Sequence, residues 1–194
     1  MNYLAHFLLA GPDPAARVGQ LLGDYHKGPA ETLADPAWAR AVRLHRAIDR
    51  YTDAHPQVVA SRARFSAPYR RYAGIVVDLA YDHVLARHWS RYAEEPLEAF
   101  VAAVHAALAE ARPRLPAGLL GRVDHLTGTG LLLGYREFAG IERALAGLAT
   151  RLSRPSPLAA AGPALAAVLP ALEADFHAFF PELVAFVAAA RNGA

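Results

Sequence analysis

A chain of 194 residues with 54% hydrophobic and 20% charged side chains holds enough apolar material for a packed core, which excludes a disordered chain. Its formal charge of +2, with no recognised reader motif, excludes the strongly basic footprint of a nucleic-acid binder. The lack of cysteine excludes disulfides, thiolate metal sites and cysteine nucleophiles, and it fits a cytoplasmic protein.

Prolines and glycines punctuate the chain, and strand-like alternation is missing. Leu, Ala and Arg dominate between the breaks, so the pattern predicts an all-α, single-domain helical bundle over residues 1–194. Helices are expected over 2–10, 14–22, 36–53, 56–65, 68–92, 96–112, 116–132, 135–151 and 157–190. The opening "MNYLAHFLLAG" lacks a basic segment and is interrupted by His6. It reads as a first helix rather than a signal peptide, with His6 as a core histidine. After the second helix, "GQLLGDYHKG" places Asp24 between Gly23 and Gly28, where backbone can approach a ligand closely. Asp35 before Pro36 supplies an N-cap oxygen and then a first-turn proline, and Ser66 before Pro68 and Ser156 before Pro157 repeat the pattern. The alanine-rich tail, 157–194, belongs to the same domain. Its apolar run is interrupted by Pro163, Pro170, Glu173, Asp175, His177, Pro181 and Glu182, so a bend or break is expected at its prolines. No bilayer span of ~20 apolar residues is expected.

Two helices carry polar groups on faces that should turn inward. With 100° per residue counted from Trp38, His45 falls at about 340° and Asp49 at about 20°, among Val42, Leu44 and Ile48. Arg40, Arg43, Arg46 and Arg50 lie on the other side. In "YRRYAGIVVDLAYDHVLARHWSRY", Asp78 and Asp82 fall about 40° apart, among Ile75, Leu85 and Trp89, while His83 points about 100° away from Asp82. An unpartnered buried carboxylate costs several kcal/mol and two would repel, so a cation between the helices answers both problems. Mn²⁺, Fe²⁺, Zn²⁺ and Mg²⁺ suit such donors. The plainer reading pairs Asp78 and Asp82 with arginines such as Arg71. For Arg62, Arg64, Arg70 and Arg71 the choice is between a solvated face and a surface for an acidic partner.

The segments "MNYLAHFLLAG", "GQLLGDYHKG", "LHRAIDRYTDAHP" and "VVDLAYDHVLARHWSRY", in this order, resemble the acyl carrier protein phosphodiesterase family, and "GYREFAGIERALAGLATRLSRP" resembles its later part. The resemblance runs to about residue 155 and then fades. It implies an all-helical fold related to the HD phosphohydrolases, with the usual His-Asp doublet reversed here as Asp82-His83. It implies hydrolysis of the phosphodiester joining 4′-phosphopantetheine to a serine of holo-acyl carrier protein, with a divalent metal, Mn²⁺ for preference. Carried over by position, the metal ligands it implies are Asp24, His45, Asp49, Asp78, Asp82 and His83, with His6 as a ligand or close support. The catalytic set is then Asp24 and His83, with Lys27 and Arg46 holding phosphate charge. Carrier proteins of this kind are acidic, so Arg62, Arg64, Arg70 and Arg71 become candidates for docking. The alternatives are an HD-type phosphohydrolase acting on a nucleotide or another small phosphoester, and a helical binding module with merely paired buried charges.

Overall fold

The computed structural model describes residues 2–192. Its regular elements are helical, with no strand among the described residues. In chain order they are α1 (Tyr3–Ala10), α2 (Pro14–Tyr25), α3 (Pro36–Ala54), α4 (Pro56–Ala63), α5 (Ala73–Arg87), α6 (Leu97–Ala111), α7 (Ala117–Gly128), α8 (Leu131–Gly134), α9 (Phe138–Ala149) and α10 (Gly162–Asn192). No helix among the described residues is long and apolar enough to cross a membrane.

The early helix starts follow one chemical device. Asp13 accepts from the Ala15 N–H at 3.0 Å ahead of Pro14, and Asp35 accepts from the Ala37 N–H at 2.9 Å ahead of Pro36. The cap oxygen satisfies a donor the helix leaves open, and proline occupies the first turn, where its missing N–H costs nothing. His55 does the same work for α4 through Nδ1, accepting from the Gln57 N–H. The expected start at Ser66 is absent. Ser66 instead offers its carbonyl to the Tyr69 and Arg70 N–H groups in a turn, and the expected helix 68–92 begins at Ala73. Ser156 precedes only a 3₁₀ turn, Pro157–Ala160, and makes no side-chain cap.

Two further expectations shift. Residues 116–132 divide into α7 and α8 at Gly130, whose φ of 65° lies in the left-handed region that favours glycine. In the tail, α10 continues through Pro170 and Pro181 without the expected break. Its inner face, Leu165, Leu172, Phe176, Phe179, Phe180 and Leu183, is fully buried against α3, α4 and α5, and that packing outweighs the two hydrogen bonds the prolines forfeit. Gly193 and Ala194, the end of the expected tail, lie outside the described residues.

Helix α5 lies at the centre and packs against α1, α4, α9 and α10. From Leu79 to Ala86 every residue is buried. A helix apolar all round has no outward face, so inward orientation along it carries no functional information. Against one flank of this centre, α1, α2 and α3 pack together and bring three short polar segments to one place.

Candidate metal centre

Helix α1 supplies His6, α2 supplies Gln20 and Asp24, and α3 supplies His45 and Asp49. The imidazoles of His6 and His45 stack with centroids 4.1 Å apart and planes inclined by 21°. Both turn Nε2 towards Asp49: His6 Nε2 is 3.1 Å from Oδ1, and His45 Nε2 is 3.1 Å from Oδ2. Asp24 Oδ1 closes the group 3.5 Å from His45 Nε2. The histidines are buried, while Asp49 and Asp24 are 41% and 45% exposed. The site is therefore walled by imidazole on the inside and open to solvent along its carboxylate edge. Asp49 was expected in the middle of a buried stripe and instead forms that edge.

The proton inventory leaves one close contact, His6 Nε2 against Asp49 Oδ1, with no proton to bridge it. The Gln20 amide nitrogen donates to the Ala41 carbonyl at 3.3 Å, which leaves its oxygen facing His6 Nδ1 at 3.0 Å. Nδ1 must then be the protonated nitrogen, and neutral His6 directs the Nε2 lone pair at a carboxylate oxygen. A second proton on His6 would relieve this contact, but burial lowers the pKa of His6, with the Asp49 hydrogen bond opposing. Burial also works against charge on His45, yet hydrogen bonds and charge from Asp24 and Asp49 outweigh it and push its pKa up to about 9. Asp49 is held well below the usual carboxylate range: burial raises it, but the hydrogen bond from His45 and the closeness of both imidazoles prevail. Asp24 is lowered in the same way, with Arg122 contributing. A divalent cation would replace the proton on His45 and meet the lone pair of His6. His6, His45 and Asp49 offer ligand atoms all within 4.8 Å of one another, and the Gln20 contact is of the kind that would hold a ligating imidazole from behind. The donor set fits a cation of the Mn²⁺, Fe²⁺ or Zn²⁺ type.

Close helix packing makes this possible. A Cβ on Gly19 would lie 2.2 Å from the Ala41 Cβ, and one on Gly23 would lie 2.2 Å from His45 Cγ. The two glycines, one helical turn apart on α2, let α3 approach and leave the space that the His45 ring fills. His45 Nδ1 is buried without a hydrogen-bond partner among the described residues, so Gly23 beneath it and the carboxylates at Nε2 set the ring's position.

The remaining expected site residues lie elsewhere. Asp82 is fully buried, but its carboxylate accepts from the Leu4 and Ala5 N–H groups at 2.8 and 3.1 Å. It caps the positive amino-terminal end of α1, so that helix end meets the need for a countercharge that first suggested a cation. Burial pushes its carboxyl up to about 7 against the pull of those two donors. Asp78, one turn earlier, is half-buried and is not a free carboxylate. His83 faces away from Asp82: its Nδ1 donates to the Tyr135 carbonyl at 2.7 Å, and its ring meets Phe138 edge-on. Of the expected phosphate holders, Lys27 is exposed in the loop after α2, whereas Arg46 donates to the His26 and Gly28 carbonyls and anchors that loop. Arg62 pairs with Asp53, and Arg64, itself exposed, makes a two-pronged pair with Asp175; Arg70 and Arg71 are exposed as well. Arg122 of α7, by contrast, reaches to 3.6 Å from Asp24 Oδ2. Neither it nor Gln20 stands out in the sequence, although Gln20 lies one helical turn before Asp24 between the two packing glycines.

The capping role of Asp82 has a direct test. Asp82→Ala should remove about 2–4 kcal/mol of stability by leaving two buried N–H groups unpaired. That corresponds to a fall in melting temperature of roughly 5–15 °C. Bound-metal stoichiometry of the folded variant should be unchanged, as measured by elemental analysis.

Comparison with known proteins agrees with the resemblance seen in the sequence. The family model described as acyl carrier protein phosphodiesterase matches residues 1–183. Proteins named acyl carrier protein phosphodiesterase from Salmonella dublin, Salmonella agona (strain SL483) and Salmonella newport (strain SL254) are each 36% identical over 186 residues. Each alignment covers 95% of this chain and 96% of the relative. No solved structure matches the chain, so the relation to the HD phosphohydrolases rests on the sequence resemblance alone.

Proposed function

The chain belongs to the acyl carrier protein phosphodiesterase family, and from that premise we propose that it hydrolyses the phosphodiester joining 4′-phosphopantetheine to a serine of holo-acyl carrier protein. The observation that carries this reading is the pair of stacked imidazoles aimed at one half-exposed carboxylate, with His6 fixed from behind by Gln20. His6, His45, Asp49 and Asp24 would hold a divalent cation, Mn²⁺ by preference. When bound, that cation supplies charge stabilisation at the phosphoryl group and acidifies water. In the reaction the oxygen of water bonds to phosphorus, the bond from phosphorus to the serine oxygen breaks, and the serine oxygen takes up a proton. Asp24, on the solvent edge, is the carboxylate in position to accept a proton from the attacking water. Arg122 would neutralise phosphate charge beside it, and Lys27, exposed in the loop that follows Asp24, is the further cation proposed for this role. The exposed edge suits a phosphodiester carried on the surface of another protein. The acidic carrier meets the remaining free arginines of the docking group, Arg70 and Arg71. A chain without cysteine fits this work in the cytoplasm.

Mass spectrometry of holo-carrier incubated with the protein and Mn²⁺ tests the reading. Conversion to apo-carrier with loss of the 4′-phosphopantetheine mass is expected. Unchanged holo-carrier, or turnover only of a nucleotide tried in parallel, overturns it.

A further inference from the structure

We propose that the cavity beside the metal centre, between α1, α7, α8 and α9, is the binding pocket for the pantetheine arm of the substrate, a role that rests on the phosphodiesterase reading. The cavity has a volume of about 210 Å³ and is lined by Asn2, Tyr3, Tyr135, Arg143, Gly147 and Arg151 among others. Its position follows from helix geometry. Asn2 and Tyr3 precede His6 by four and three residues, so one face of α1 presents His6 to the metal centre and Tyr3 to the cavity, one turn apart. Tyr3 also lies in the charge fields of both Asp24 and Arg122. A phosphate held at the metal centre would therefore place its substituent at the mouth of this cavity.

The lining suits pantetheine. The arm is slender, with amide carbonyls, a hydroxyl, a geminal dimethyl group and a thiol end. Arg143 and Arg151 offer donors to carbonyl and hydroxyl oxygens, while Leu131 and Leu148 offer apolar wall. The buried hydroxyl of Tyr135 accepts from the Asn2 amide at 3.2 Å, which holds that wall in place. The volume is below the ~300–1,000 Å³ of ordinary small-molecule sites, so the cavity would hold part of the arm rather than enclose it whole. Gly147 leaves the room: a Cβ built on it meets no atom within 4 Å, so this wall of α9 is open.

That open glycine also provides the test. Gly147→Leu puts a side chain into the cavity and raises local helix propensity, so the melting temperature should not fall. Binding of reduced pantetheine is followed by ligand-observed NMR in the wild-type protein, in Gly147→Leu and in Arg143→Ala. Saturable binding to wild type is expected, weakened about tenfold (~1.4 kcal/mol) or more in both variants. KM for holo-carrier should rise in parallel. No binding to wild type, or binding by both folded variants as tight as that of wild type, overturns the proposal. Because binding is read without turnover, the outcomes separate. Pantetheine binding without holo-carrier cleavage leaves the pocket standing and removes the phosphodiesterase reading. Cleavage with KM unaltered by either variant does the reverse.

Discussion

Asp49→Asn is expected to strip the protein of divalent metal and to lower kcat/KM on holo-carrier by roughly 10³-fold or more, beyond the ~10–100-fold typical of a partner behind a metal ligand. The two Asp49 oxygens each lie 3.1 Å from an imidazole Nε2, so one side chain closes both halves of the site. Asparagine keeps the shape but replaces one oxygen with an NH₂ group and removes the charge. The amide then turns hydrogens towards one of the two nitrogens that would otherwise face a cation. Asp49 is 41% exposed, so the substitution buries no unpaired group and the fold should persist. Circular dichroism and a melting curve on metal-free protein check this, and elemental analysis after dialysis against Mn²⁺ reads the effect. Full metal content and normal turnover in a folded Asp49→Asn variant would remove this cluster from the reaction.

How far the sequence led depends on the helix in question. Helix α3 was readable because it is amphipathic: its arginines mark the solvent side, and 100° steps then place His45 inward. Its start was readable from Asp35 and Pro36, where the cap chemistry is local. The same wheel misled on α5. That helix is buried on every side, so Asp82 seemed to need a cation, when its partner is the amino-terminal end of α1, seventy-seven residues away in sequence. Nothing local encodes such a pairing. Arg122 was unreadable for a related reason: it reaches Asp24 across the packing of α7, and one arginine among nineteen carries no distinguishing pattern. The internal pairs of Arg62 and Arg64 again join residues from different helices, Asp53 on α3 and Asp175 on α10. In α10, local propensity argued for a break at two prolines, and burial of its aromatic face overrode it.

Gly23→Ala carries the second large expected effect, and it acts without removing any charged group. The added methyl carbon would stand 2.2 Å from His45 Cγ and 2.4 Å from Cδ2, far inside contact distance. Those ring atoms are not the far end of a flexible chain. They belong to a planar group held between Gly23, the His6 ring and the carboxylates. Either His45 rotates, or α2 moves away from α3. If the ring rotates, Nε2 leaves Asp49 and Asp24, and a misplacement of about 1 Å costs on the order of 10²-fold in rate. If the helices part, stability falls as well, by about 1–3 kcal/mol for an overpacked core. Gly19→Ala separates the two effects. Its Cβ would meet the Ala41 Cβ at 2.2 Å on the same helix pair, one helical turn from His45 and with no contact to its ring. Both variants should therefore melt earlier, whereas Gly23→Ala alone should lose about 10–100-fold in metal affinity beyond what its stability loss accounts for. Equal metal affinity in the two variants, measured at a temperature where both are folded, would show that Gly23 serves helix packing only and leaves His45 in place.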